Sequence, residues 1–276
     1  MRDASRLHPI ATMVCLSAIA CSRPADAPEP PAEPAVAEAP AAKAAPEPEA
    51  TAGPEAKQPV SRHMWSHYLA ALRARDAIIG GHPERAREPL SWLADQAYAE
   101  SLPDAWRPHA VHVRRAAKRA GEGTDGETAA RAIGALGAAC GECHAAMGRG
   151  PAREPAGFSE LGEEDLVARM HRHGWAMERM WEGLMMPWDE SYRVGAQVLA
   201  EGKLELEKDV KDAAKLRAGL ETVRSLGKQA VTLQHTDERA ALYGDLISTC
   251  AGCHQAQGVE LGELDDEAAA EALPKL

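Results

Sequence analysis

From residue 60 to about residue 257, apolar positions recur at helical spacing, and no stretch alternates as a half-buried strand would. Met64, Tyr68, Ala71, Leu72, Ile78 and Ile79 form one stripe that Gly80-Gly81 ends. Pro83 opens a second helix carrying Leu90, Leu93 and Ala97, with Pro89 placed to kink it. A third helix is expected from Trp106 to Ala120. A fourth runs from Glu127 to Met147, with Ile133, Leu136, Cys140, Cys143 and Met147 on one stripe. The pattern then restarts: Glu163 to Met186, stopped by Pro187; Asp189 to Glu201; Leu204 to Gln234; and Thr236, as N-cap, to Gln257. The economical reading is an all-α protein of two tandem four-helix bundles, residues 61–150 and 158–258, followed by an acidic tail, 259–276.

The two series repeat one another. At an offset of 106 residues Met64 falls on Met170 and His67 on His173. At an offset of 110, Cys140-Gly-Glu-Cys143-His144 falls on Cys250-Ala-Gly-Cys253-His254. Each half therefore begins with Met-x-x-His and closes with Cys-x-x-Cys-His. A duplication of this kind halves the number of coincidences to be explained.

Composition sharpens the picture. Aromatic residues make up only 4% of the chain, with a single Phe, although 45% counts as hydrophobic. Much of that is Ala, which buries little area, so the core is thin unless a large apolar group helps to fill it. On a helix, residues i and i+3 project from one face with i+4 beside them. Cys140 and Cys143 can thus form thioethers with one porphyrin while His144 reaches its iron, and Cys250, Cys253 and His254 can do the same for a second haem c. A four-thiolate zinc site leaves the paired His unexplained. So does a disulfide in each frame, and a redox dithiol wants a strand-to-helix setting that the pattern lacks. In bundles of alternating direction the start of the first helix and the end of the last share one end. His67 and His173 are then candidates for the distal iron position, with Met64 and Met170, one turn earlier, as competitors.

The first 20 residues read as a secretory signal: Arg2 and Arg6 precede an apolar run, Ile10 to Ala20, too short to cross a bilayer. Ala18-Ile19-Ala20-Cys21 resembles a bacterial lipobox, with Ala18 where that motif usually has Leu. Cys15 leaves with the signal and four cysteines belong to the two frames, so Cys21 has no partner. Acylation at Cys21 is expected; the alternative is plain cleavage that leaves a thiol. Residues 21–60 hold ten of the 19 prolines in a Pro/Ala/Glu sequence that buries no apolar surface. It is expected to be a disordered tether, reaching on the order of 100 Å at ~3 Å per residue.

A haem motif near the end of a bundle's last helix resembles the class II cytochromes c, the cytochrome c′ and c-556 group. The resemblance covers about residues 60–148 and 163–257, as a tandem, dihaem version. In that family the distal position lies on the first helix, four residues after a frequent Arg. Arg169 and His173 keep that spacing, and His63 and His67 occupy the matching places. The family's Lys inside the haem motif and its aromatic-Arg pair after it are absent, and His stands where the family has Met or an apolar residue. The resemblance implies an exported electron carrier or a binder of small gases. The favoured expectation is a membrane-anchored, periplasmic dihaem electron-transfer protein exchanging electrons with envelope redox partners. The alternative is binding or sensing of NO or CO at a five-coordinate haem. No acid/base constellation recurs beside either motif, so enzymatic chemistry is not expected. The net charge of −11 argues against nucleic acid. It is unevenly spread: residues 61–157 carry 13 basic and 11 acidic groups, residues 158–276 carry 13 and 23.

Overall fold

A computed structural model describes residues 60–95, 102–123, 125–148, 165–206, 210 and 212–259, all within one compact unit. The expected signal, Cys21, the tether up to residue 59 and residues 260–276 of the tail lie outside the described residues, as do the side chains of residues 60–63.

Among the described residues every regular element is helical. The order is α1 (Val60–Ile79), a 3-10 turn (Pro83–Ala86), α2 (Arg87–Asp95), α3 (Arg107–Gly121), α4 (Gly126–Ala146), α5 (Leu166–Met185), α6 (Asp189–Ala200), α7 (Ala213–Thr232) and α8 (Thr236–Gln257). The repeat is visible in the boundaries, since α1 maps onto α5 at the offset of 106 and the start of α4 onto that of α8 at 110. Side-chain caps set two starts. The Asp125 carboxylate accepts from the Thr128 N–H at 2.8 Å, and the Asp165 carboxylate from the Ala168 N–H at 2.7 Å.

Several boundaries differ from the sequence expectation, each for a local reason. Pro89 does not kink a helix. The 3-10 turn delays α2 to Arg87, which puts Pro89 in the first turn, where its missing N–H costs nothing. The fifth helix begins three residues later than Glu163 because Asp165 caps it. Residues 204–206 are not helical, and α7 starts only after Asp212, whose φ of 52° is left-handed. Thr236 is the first residue of α8, not its cap; His235 holds the N-cap place without a side-chain bond.

Within each half, successive helices pack on one another and the first packs on the last. The most extensive interface, however, joins the halves, α4 against α8. Glycine permits it: a Cβ on Gly134 would stand well inside 3.0 Å of the Ala240 carbonyl oxygen, and one on Gly244 inside 3.0 Å of Arg131 Cα. Gly134 and Gly244 are equivalents at the offset of 110, so the crossing lies on a pseudo-twofold axis. The approach of Gly134 to Ala240 and of Gly244 to Ala130 gives α4 and α8 opposite directions there. One hydrophobic cluster, from Ala70 to Ile247, runs through both halves.

Candidate functional site

Each Cys-x-x-Cys-His motif occupies the last turns of its helix, α4 or α8. Both begin some eight residues past the crossing, or roughly 12 Å along the helix at 1.5 Å per residue, in opposite directions. Contacts between antiparallel neighbours carry the start of α1 to the first motif. The His67 ring lies edge-on to Trp92, centroids 5.5 Å apart. Arg114 Nε donates to the Ala94 carbonyl at 2.8 Å, and His112 Nδ1 lies 3.0 Å from Glu142 inside the motif. In the second half, His173 Nε2 lies 3.6 Å from where a Cβ on Gly202 would stand, and Cys253 Sγ 3.5 Å from the same place on Gly219. His67 and His173 therefore stand at the motif end of their own halves, half-buried, as do Met64 and Met170 on the same helices.

The motif imidazoles are fixed from the opposite half. His144 Nδ1 lies 2.6 Å from the carbonyl oxygen of Met185, the last residue of α5. His254 Nδ1 lies 2.9 Å from that of Ile79, the last residue of α1. A carbonyl only accepts, so Nδ1 carries the proton and Nε2 keeps its lone pair for a metal. Beside His254, Gln255 Nε2 donates to the Gly81 carbonyl at 2.7 Å.

Burial, together with the neighbouring thiol, pushes Cys140 and Cys250 up to about 12. Burial also raises Cys143, and raises Cys253 against a lowering by Lys215. Protonated thiols in apolar surroundings are poor redox nucleophiles. Among the described residues, no three His, Cys, Asp or Glu side chains gather into a metal-binding group, so the two Cys pairs do not share one site. Their placement does fit covalent attachment of haem c at each motif.

A second observation fits a propionate-bearing group. Arg169, one turn before His173 on α5, is 6% exposed, and its Nε and Nη1 are buried without a hydrogen-bond partner. A guanidinium so placed calls for an anion, and a haem carboxylate is of the right charge and shape.

Compared with protein-family models, with characterised proteins and with solved structures, the chain matches none. The residues themselves must carry the reading. Sequence reasoning missed the carbonyls of Ile79 and Met185, because a backbone acceptor 175 or 41 residues away leaves no local pattern. A signal was nonetheless present: Ile79 maps onto Met185 at the offset of 106 and His144 onto His254 at 110, so the two bonds are one contact made twice.

Proposed function

We propose that the chain is a dihaem c-type cytochrome that carries electrons, its two haem-binding four-helix bundles fused along α4 and α8. The observation that carries the reading is the doubled Cys-x-x-Cys-His motif with both Nδ1 atoms committed to carbonyls and both Nε2 atoms left for iron. Cys140 and Cys143, and Cys250 and Cys253, are assigned to the thioethers; His144 and His254 are the proximal ligands. Haem, when bound, supplies one-electron chemistry at its iron.

The protein's own residues do the rest. His67 and His173 occupy the distal side, with Met64 and Met170 as competitors one turn away. A filled sixth position suits electron carriage because it leaves no place for a substrate or gas. Arg169 neutralises a buried carboxylate of the second haem. The N-terminal segment supports a periplasmic location, with Cys21 acylated and the Pro/Ala/Glu stretch reaching from the membrane to the fold.

Optical spectra with and without CO test the assignment. Two low-spin haems indifferent to CO are expected, and His67→Ala should make only the first haem high-spin and CO-binding. A starting protein that binds CO at both haems would instead favour gas binding. Loss of the low-spin signature in Met64→Leu and not in His67→Ala would assign the thioether.

A further inference from the structure

We propose that each half of the chain positions the iron-ligating imidazole of the other, so that neither haem site is complete within its own half; the inference rests on the haem assignment above. The proximal His of a haem is tuned by what its Nδ1–H meets, because a strong acceptor fixes the ring and enriches Nε2. Here the acceptor of His144 on α4 is the Met185 carbonyl of α5, and that of His254 on α8 is the Ile79 carbonyl of α1. Both acceptors end their helices, where carbonyls lack an intrahelical partner and carry the negative end of the helix dipole. The bond therefore satisfies two needs at once, a helix end that must be capped and an imidazole that must be held. Met185 and Ile79 are positioning residues that act through their backbone.

The two junctions are built differently. At the first, Gly141 lies inside the motif and faces the end of α5, where its Cβ would stand well inside 3.0 Å of the Leu184 carbonyl oxygen. At the second, the equivalent position at the offset of 110 is Ala251, and Gln255 clamps the end of α1 through the Gly81 carbonyl. The imidazole–carbonyl distance is 2.6 Å beside Gly141 and 2.9 Å beside Ala251. The second junction is thus spaced to take a methyl, whereas any side chain on Gly141 meets the backbone at the end of α5 and must push that helix away.

The test is a series in the full-length holoprotein, read by redox titration and by NMR of the hyperfine-shifted Nδ1 protons. Gly141→Ala should already loosen the His144 bond by moving the end of α5, in the same direction as the longer side chain and by less. Gly141→Leu should expose the His144 proton to exchange, raise the potential of the first haem and leave the second unchanged. Gly126→Ala, at the end of α4 remote from the motif and with nothing within 4 Å, should change neither haem. Gln255→Leu should loosen the end of α1 and affect only the second haem, which keeps the inference testable if Gly141→Leu does not fold. Unchanged exchange and potentials in both Leu variants at 141 and 255, or equal shifts at both haems, would overturn the cross-half positioning alone. A parent protein without covalent haem would overturn the haem assignment first, before any variant is made.

Discussion

The two halves are built from the same four helices, yet where they meet on the pseudo-twofold axis they are not alike. Arg75 of α1 maps onto Trp181 of α5 at the offset of 106, and its guanidinium lies over the Trp181 ring, 5.7 Å from the centroid. Ile133 of α4 maps onto Tyr243 of α8 at 110, and Tyr243 stacks on Trp181 with centroids 5.7 Å apart. In a dimer of identical chains an on-axis residue must face its own copy. Fusion in one chain lifts that constraint, so one half supplies the cation and the other the aromatic faces. Gly134 and Gly244 show the opposite outcome, for there closeness of backbones is the need and both halves keep the same residue. The surfaces differ less: at the offset of 110, which lays buried Val113, Ala117 and Ala120 on buried Val223, Gly227 and Ala230, the positions of Arg114, Arg115, Lys118 and Arg119 on α3 hold Arg224, Ser225, Lys228 and Gln229 on α7. With Arg87, three of the basic groups on α3 line a groove of about 600 Å³ between α2 and α3.

The largest effect on this asymmetric junction should come from Arg75, which is 4% exposed and paired with Asp76 and, across the halves, with Glu178 at 3.0 Å. Arg75→Met removes the cation that both carboxylates share and leaves Glu178 the longer contact to Arg179, at 3.8 Å. Because Glu178 is 37% exposed, the loss should sit at the low end for a broken buried pair, about 3 kcal/mol in denaturant unfolding. The pH dependence has a definite sign. Burial already raises the Asp76 carboxyl above its ordinary value while Arg75 opposes the rise. A raised folded-state pKa means that the folded form holds the proton longer, so stability falls as pH climbs through that window. Removing Arg75 widens the window, and the deficit of the variant should therefore be smaller in acid than at neutrality. An equal deficit at both pH values would contradict the assigned pairing.

A smaller loss is expected at the symmetric part of the junction. Gly134→Ala forces a methyl against the Ala240 carbonyl and should cost about 1–3 kcal/mol, as overpacking does. Gly126→Ala, at the first turn of the same helix with nothing within 4 Å, should be neutral or slightly stabilising. Equal stability of the two variants would mean that α4 and α8 do not cross at Gly134.

The helical character, the duplication and the placement of the motif on the last helix of each half were legible in the sequence, because apolar spacing and repeated residues encode them directly. The starts of α5 and α8 and the delayed start of α7 were not, since a cap at Asp165 or a left-handed Asp212 is a choice among several permitted local solutions. The fusion along α4 and α8 was hidden for another reason. Small residues at a crossing carry no periodic signal, and Gly134 reads as a weak point in a helix until its neighbour is known. The buried cation at Arg75 was equally out of reach, as its partner Trp181 lies a whole half away and each looks ordinary on its own helix. Arg169 was marked by spacing alone; its buried Nε and Nη1, which lack a hydrogen-bond partner, give that mark a physical meaning.

Covalent attachment of haem at both motifs is tested most directly by the mass of the denatured, alkylated protein. Thioether-bound haem survives unfolding, whereas thiols held protonated only by burial become reactive once the fold is lost. The predicted result is a chain that keeps the mass of two haems, with Cys140, Cys143, Cys250 and Cys253 all refractory to alkylation in denaturant. A chain of unmodified mass that takes up four alkyl groups at these cysteines would contradict it.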